Sequence, residues 1–362
     1  MRNRVLIYCH SLSGGAGRNA KLYANIINDH VCPVDIVCSY AESKLVDDLH
    51  SGVVVHITKS PRNLYNIPIL AVLLRKIRPR IILCIGEGNA IAGNIARALS
   101  FTGASVVIRD TQDHISWLRQ MKVFERCIRS VFAADAFKRA RKIISLCPSM
   151  MERSSKLWGL DTSKYVIIPN GVSTNARVTQ NCNEHGKADI YTYLYVGRLE
   201  RQKSVDTLLR AFRIVESVNE KSRLLIVGTG ALRSEYQQLA ASLDLNNVKW
   251  LGYKRNLSSI YRQGDCFVLP SIYEGFPNVL IESMSYGLNI VSTDCPTGPS
   301  YILRGGKDGI LVKCKDPDMM ASAMLNVRKN PFQSEQIRRR AADFSREALA
   351  ARVISLFNSL ID

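Results

Sequence analysis

Apolar runs of four or five residues, dense in β-branched side chains, alternate along the chain with longer stretches in which apolar positions recur every three or four. VLIY (5–8), VDIV (34–37), VVVHI (53–57), IILCI (81–85), SVVI (105–108), KIISL (142–146) and YVII (165–168) are of the first kind. Runs so short and so apolar predict parallel strands covered on both faces. The intervening stretches 18–29, 64–77, 88–100 and 116–141 have helical spacing. Strand and helix in alternation imply βαβ units and a doubly wound parallel sheet.

The pattern then breaks and restarts. Residues 173–189 are polar and aperiodic, which predicts a linker. Beyond them YLYV (193–196), RLLIV (223–227), VKWL (248–251), CFVL (266–269), NIVS (289–292) and GILV (309–312) predict a second set of strands. Helices over 204–219, 232–243, 255–263, 277–287 and 316–328 fit between them, and 333–361 reads as one or two closing helices. The expected fold class is α/β, with two Rossmann-like domains facing each other across a cleft. Their expected limits are 1–172 and 173–345, with 346–362 as a closing C-terminal helix. A chain of 362 residues is long enough for two such cores.

Charge alters this picture. Lys and Arg number 49 against 31 Asp and Glu, a net +18, which implies an anionic partner without naming it. The excess is concentrated in residues 1–172, which hold 24 basic and 12 acidic side chains. The ten cysteines form no C-x-x-C pair and several lie inside apolar runs, so buried free thiols in a reducing cytoplasm are expected rather than a zinc site or a disulfide framework. The first apolar run is too short for a signal-peptide core, and no run is long enough to span a membrane. A cytoplasmic protein, or one peripheral at the inner face of the membrane, is the expectation.

Three stretches carry candidate chemistry. SLSGGAG (11–17) follows the first strand and opens the first helix, where bare backbone N–H groups suit a phosphate or diphosphate; a ligand-free tight turn is the competing reading. VGRLERQK (196–203) repeats that architecture in the second half. Arg198 and Lys203 flank a helix start, as a diphosphate would require, or are two solvated charges. SIYEGFPNVLIE (271–282) places Glu274 in a loop and Glu282 eight residues later on the following helix, two carboxylates able to accept hydrogen bonds from sugar hydroxyls. The plainer alternative makes Glu274 a complement to the helix dipole and Glu282 a surface charge.

In order, Gly14-Gly15, Gly197-Arg198 with Lys203, VGTG (227–230), Leu251-Gly252 and Glu274-Gly275-Phe276 with Glu282 resemble the family-4 retaining glycosyltransferases of the GT-B fold and their E-x7-E motif. The resemblance is dense from 140 to 312 and looser from 5 to 115. DCPTGP (294–299) looks like the branch that builds bacterial surface polysaccharides, O-antigen, capsule or exopolysaccharide. The resemblance implies a metal-independent hexosyl transfer, with retention, from a nucleotide sugar to an oligosaccharide acceptor, a polyprenyl-diphosphate-linked saccharide being the expected form. It implies that Arg198 and Lys203 hold the donor diphosphate, that Glu274, Gly275 and Phe276 meet the donor sugar, and that Glu282 meets the ribose. Gly14 and Gly15 would lie under the phosphates, and the base near Gly228, Gly230 and 251–254. The donor is a substrate; no cofactor and no metal are implied.

Two positions depart from the family pattern. Many relatives carry a His near the acceptor and donor sugar, after the strand matching 105–108; here IRDTQDH (108–114) brings His114, the candidate for that catalytic place, several residues late, with Asp110 or Asp113 as other occupants of that spot or His114 an ordinary loop histidine. Where relatives read Gly-Pro-x-Glu-Ile, this chain has GPSYI (298–302), with Tyr301 in place of the acid.

Within 119–142, Val123, Phe124, Cys127, Ile128, Val131 and Phe132 fall at helical spacing beside Lys122, Arg126 and Arg129. Such a stripe either packs on the core with solvated flanks or faces an anionic membrane. A basic nucleic-acid-binding protein is a further class, but the aromatic content of 7% and the lack of a recognition motif speak against nucleic acid. A GT-B protein that binds nucleotide sugars without catalysis is the remaining alternative.

Overall fold

A computed structural model describes residues 2–40, 47–60, 63–172 and 190–361. The stretch 173–189, read above as a linker, lies outside the described residues. The chain divides into two units, residues 1–171 with 347–362, and residues 172–346.

In the first unit the strands are β1 (Arg2–Ser11), β2 (Val34–Tyr40), β3 (Val54–Ile57), β4 (Pro79–Ile85), β5 (Ser105–Arg109), β6 (Lys142–Ser145) and β7 (Tyr165–Ile167). The helices are α1 (Gly14–His30), α2 (Ile67–Ile77), α3 (Glu87–Ser100), α4 (His114–Leu118), α5 (Val123–Arg139) and α6 (Pro148–Trp158). All seven strands pair in parallel in the order β3-β2-β1-β4-β5-β6-β7. Parallel pairing demands cover on both faces, and the apolar runs supply it: Val5, Ile7, Ile81 and Leu83 feed one core while Leu6, Tyr8, Ile82 and Cys84 feed the other. The second core is roofed by α2, α3 and α5, which pack side by side in that order.

The second unit holds β8 (Tyr191–Val196), α7 (Val205–Val218), β9 (Ser222–Val227), α8 (Arg233–Ser242), β10 (Val248–Gly252), α9 (Ser258–Tyr261), β11 (Cys266–Leu269), α10 (Asn278–Ser285), β12 (Asn289–Thr293), α11 (Pro299–Ile302), β13 (Ile310–Val312), α12 (Pro317–Lys329) and α13 (Ser334–Ala342). Its six-stranded parallel sheet runs β10-β9-β8-β11-β12-β13. In both units the strand order reverses beside the first strand, the point where open α/β sheets take ligands at their carboxyl ends.

The closing helix α14 (Arg346–Ile361) belongs to the first unit. Its Leu349, Val353, Leu356, Phe357 and Leu360 join the core that contains α1. Burying such side chains is worth about 1.5–3 kcal/mol each.

One expectation needs correction, and one open alternative loses its core-packing reading. The single helix expected over 116–141 is broken: α4 closes with tight backbone bonds from Gln120 to Trp117 and from Met121 to Leu118, and Lys122 is extended. The apolar stripe of α5 does not face the core. That helix buries only Ala133, Ala136 and Phe137, while Phe124 is 75% and Val131 69% exposed. Of the nine described cysteines, all free, seven are buried and Cys127 is exposed on α5. Burial pushes the Cys84 thiol up to about 12 and that of Cys38 up to about 11, which keeps both protonated near neutrality.

Candidate active site

In the second unit, the turn after β8 meets the loop after β11. Arg201–Lys203 form one turn of 3-10 helix, and Ser204 takes a left-handed conformation (φ 46°) that turns the chain into α7. Ile272 N–H donates to the Gln202 carbonyl at 2.9 Å, and the Gln202 amide donates to the Tyr273 carbonyl at 2.8 Å. With the loops joined by these two hydrogen bonds, Lys203 Nζ lies 2.5 Å from Glu274 Oε1. Ser271 Oγ donates to the same oxygen at 2.6 Å. The side chains of Lys203 and Glu274 are only 13% and 7% exposed. The ammonium has three donors, so the carboxylate leaves two of them for another acceptor.

The 271–277 loop is clamped from behind. Thr293 Oγ1 donates to the Ser271 carbonyl at 2.5 Å, and Thr297 Oγ1 donates to the carbonyls of Glu274 and Gly275. Phe276 is buried edge-on against Phe344. Pro277, expected inside the first turn, stands one residue before α10, and Glu282 is the fifth residue of that helix. Glu282 is half-buried and accepts from Tyr261 Oη at 3.1 Å.

Arg198 differs from Lys203. Its side chain is 66% exposed, and its ion pair with Glu200 at 3.0 Å is of the solvated kind that holds a side chain weakly. Its backbone is fixed: the Tyr195 hydroxyl donates to the Arg198 carbonyl at 2.8 Å. Burial, then the Glu274 charge, hold that phenol well above its ordinary value, so it stays a donor. Gly228 and Gly230 are packing residues of this corner. A Cβ on Gly228 (φ 134°) would lie 1.9 Å from the Gly197 carbonyl oxygen, and one on Gly230 would lie 2.3 Å from that of Leu199. Tyr301 is half-buried with its carbonyl accepting from Arg340 at 2.6 Å and its ring edge-on to Phe344.

In the first unit, the turn after β1 separates its glycines by role. Gly17 lets α1 close on its own entry, since a Cβ there would lie 2.2 Å from the Leu12 carbonyl carbon. Around Gly14 (φ 66°) and Gly15 a Cβ would meet nothing within 4 Å. Their peptide groups are exposed at the start of a seventeen-residue helix with no acidic residue in its first turn, a place that favours an anion.

His114, expected beside the donor sugar, is instead a core residue, 3% exposed and edge-on to Phe137 and Trp158. Its Nε2 lies 2.7 Å from Oδ1 of Asp110, itself fully buried. Burial pulls the imidazole down, but the carboxylates of Asp110, Glu87 and Asp113 outweigh it and hold the ring above its ordinary value of 6.5. A raised folded-state value means that the stabilisation is complete below 6.5 and is lost as pH rises through the folded value. Melting temperatures from about pH 6 to about pH 9 are therefore expected to fall more steeply for the wild type than for His114→Gln. Parallel curves would show that the pair carries no such linkage.

Several partners escaped the sequence reading. Ser271 lies three residues before Glu274, but a serine at a strand end is too ordinary to stand out. Tyr261, Thr293 and Thr297 are reached only through the fold. In the first unit Arg129 makes a two-oxygen bond to the buried Glu87 and lies 4.4 Å over the Trp117 ring. Among the described residues, no three His, Cys, Asp or Glu gather as a metal ion would require.

The chain is similar to known proteins in sequence and in fold. Residues 5–176 match the family model described as Glycosyltransferase Family 4, and residues 180–344 match glycosyl transferases group 1. An uncharacterised glycosyltransferase of Methanocaldococcus jannaschii is 40% identical over 116 residues, 32% of this chain and 29% of its own length. The Escherichia coli UDP-Gal:alpha-D-GlcNAc-diphosphoundecaprenol alpha-1,3-galactosyltransferase is 26% identical over 270 residues, 70% of this chain and 68% of that one. The chain spans about half the length of many curated relatives it matches. The crystal structure of Anabaena Alr3699/HepE in complex with UDP superposes with a TM-score of 0.82 at 16% identity, over 99% of this chain and 100% of that one.

Proposed function

The chain belongs to the GT-B glycosyltransferases, a Family 4 stretch followed by a group 1 stretch, and from that premise we propose that it transfers a hexosyl group, with retention and without a metal ion, from a nucleoside-diphosphate sugar to a saccharide on a polyprenyl diphosphate. The observation that carries this reading is the buried Lys203–Glu274 pair, fixed by Ser271 at the carboxyl ends of β8 and β11. It sets a cation and a hydrogen-bond acceptor side by side, as a diphosphate joined to a sugar requires.

In the proposed reaction the C1–O bond to the diphosphate breaks and its electron pair leaves with the phosphate. Lys203 and Arg198 neutralise the charge that develops there, Lys203 from a fixed position and Arg198 from a mobile one. Glu274 accepts from sugar hydroxyls, with the 275–276 backbone beside it, and Glu282 accepts from the ribose. The acceptor hydroxyl forms the new C1–O bond on the face the phosphate leaves, and its proton passes to the departing phosphate oxygen. The anomeric configuration is thereby kept. Gly14 and Gly15 offer bare backbone to the phosphates. His114 acts on the loop after β5 by holding Asp110 rather than by touching substrate. The Escherichia coli relative is named for a diphosphoundecaprenol acceptor of this kind, and bacterial surface polysaccharide assembly is the setting that fits it.

Thermal shifts with UDP-, GDP- and dTDP-sugars select the donor, and proton NMR of the product formed on an undecaprenyl-diphosphate acceptor reads its anomeric configuration. The expected product keeps the donor's configuration, and its rate of formation is the same with EDTA. An inverted product refutes the front-face path; a rate abolished by EDTA and restored by Mg²⁺ refutes metal independence.

A further inference from the structure

We propose that Arg340 is a positioning residue for the sugar-binding end of the 271–277 loop, acting through a stack of Phe344 and Phe276; the inference rests on the reading of that loop as the donor-sugar contact. Arg340 stands in the last turn of α13, a helix with no part in the proposed reaction. Its side chain is only 11% exposed. Nε donates to the Ile302 carbonyl at 2.9 Å and Nη2 to the Tyr301 carbonyl at 2.6 Å, both at the end of α11. Carbonyls at a helix C-terminus lack an intrahelical donor, and an arginine supplies one. Nη1 bonds Asp343 at 2.8 Å. Held at these three nitrogens, the guanidinium lies 4.5 Å from the centre of the Phe344 ring and 5.5 Å from that of Tyr301.

The stack ends at the donor loop. Phe344 is buried and meets Phe276 edge-on, with 5.9 Å between ring centres. The start of α11 reaches the same loop by its backbone. A Cβ on Gly298 (φ 96°), the residue before that helix, would lie 2.6 Å from Pro277 Cδ and 3.4 Å from Phe276 Cα. Arg340 thus grips both the ring that touches Phe276 and the short helix whose start is pressed on Pro277. The two ends of the loop are held differently. Ile272 and Tyr273 are hydrogen-bonded to Gln202, on the turn that carries Lys203. Phe276 leans on the aromatic stack. Loosening the stack therefore frees the sugar side and leaves the diphosphate side in place. A cleft of about 410 Å³, bordered by Arg304, Gln336, Arg339 and Arg340, opens beside the guanidinium and gives a small cation a way in.

Calorimetric titration of the full chain tests this with two probes. One is whichever of the UDP-, GDP- and dTDP-sugars shifts the melting of the wild type furthest; the other is the matching bare nucleoside diphosphate. In Arg340→Ala, affinity for the nucleotide sugar is expected to fall about tenfold, and affinity for the bare diphosphate to stay within about twofold. Phe344→Leu keeps the burial, removes the ring, and is expected to show the same split. Arg340→Lys keeps a charged donor for the carbonyls without the plane, so it should restore the melting temperature and not the sugar affinity. Guanidinium, far below denaturing concentration and set against equal NaCl, is expected to recover sugar affinity in Arg340→Ala and not in Phe344→Leu. Equal losses for both probes mark a merely structural residue and overturn the proposal. So does wild-type sugar affinity in Phe344→Leu or in Arg340→Lys. A wild type that binds none of the nucleotide sugars refutes the sugar-contact reading beneath the inference; a wild type that binds one, with no split in the variants, refutes the inference alone.

Discussion

Lys203→Ala is expected to lower turnover at least about tenfold and also to destabilise the second unit, by about 3–5 kcal/mol. Both effects come from one place. The ammonium is the donor proposed for the diphosphate, and it is also the counter-charge of Glu274, which is 5% exposed. Removing it leaves a buried carboxylate without its counter-charge, held by the Ser271 hydroxyl. Arg198→Ala separates the two effects. That side chain is largely in water, so its loss should leave the melting temperature within a degree or so while turnover falls by a similar factor. The double variant Lys203→Met with Glu274→Gln removes both charges, and is expected to recover most of the stability and none of the activity. Chemical denaturation alongside initial rates reads all three. Wild-type rates in Lys203→Ala would detach the residue from the diphosphate, and full stability would detach it from Glu274.

Gly228→Ala is the second large effect, expected to cost about 3 kcal/mol or more. The added methyl group would meet the Gly197 carbonyl oxygen at 1.9 Å, and backbone cannot rotate away as a side chain can. The φ of 134° adds strain of its own. Relief requires separating the turns after β8 and β9, which also displaces Arg198 and Leu199, so the thermal shift on nucleotide sugar should be lost as well. Gly15→Ala is the control of equal chemical size. Nothing lies within 4 Å of its Cβ, so stability should hold and any loss should appear in the KM for donor. A Gly228→Ala protein as stable as the wild type would show that the two turns yield readily.

What could be read in the chain follows from the range of the forces involved. Alternating runs disclosed both sheets because strand burial is a local pattern, and IILCI (81–85) could be little else. The pairing of Lys203 with Glu274 spans 71 positions, and no periodicity reports it. The two residues were legible as candidates but not as partners. Helical spacing in α5 was legible too, yet a stripe of Phe124, Ile128 and Val131 looks the same whether it faces a core or solvent. Only the neighbouring helices decide. His114 shows the reverse case: a histidine near an expected site was buried by Phe137 and Trp158, neither close to it in sequence. At Gly228 and Gly230 the fold adds a packing demand, the meeting of two turns, that no local pattern announces.

The place of α14 has a consequence for how the protein is made. Synthesis is vectorial, and the ribosome delivers 172–346 before α14 emerges, which takes roughly ten to thirty-five seconds at about 5–20 residues per second. Throughout that interval the nascent first unit lacks Leu349, Val353, Phe357 and their neighbours, and the surface of α1 they will cover is bare. The first half of the chain is thus the first to be made and the last to be finished.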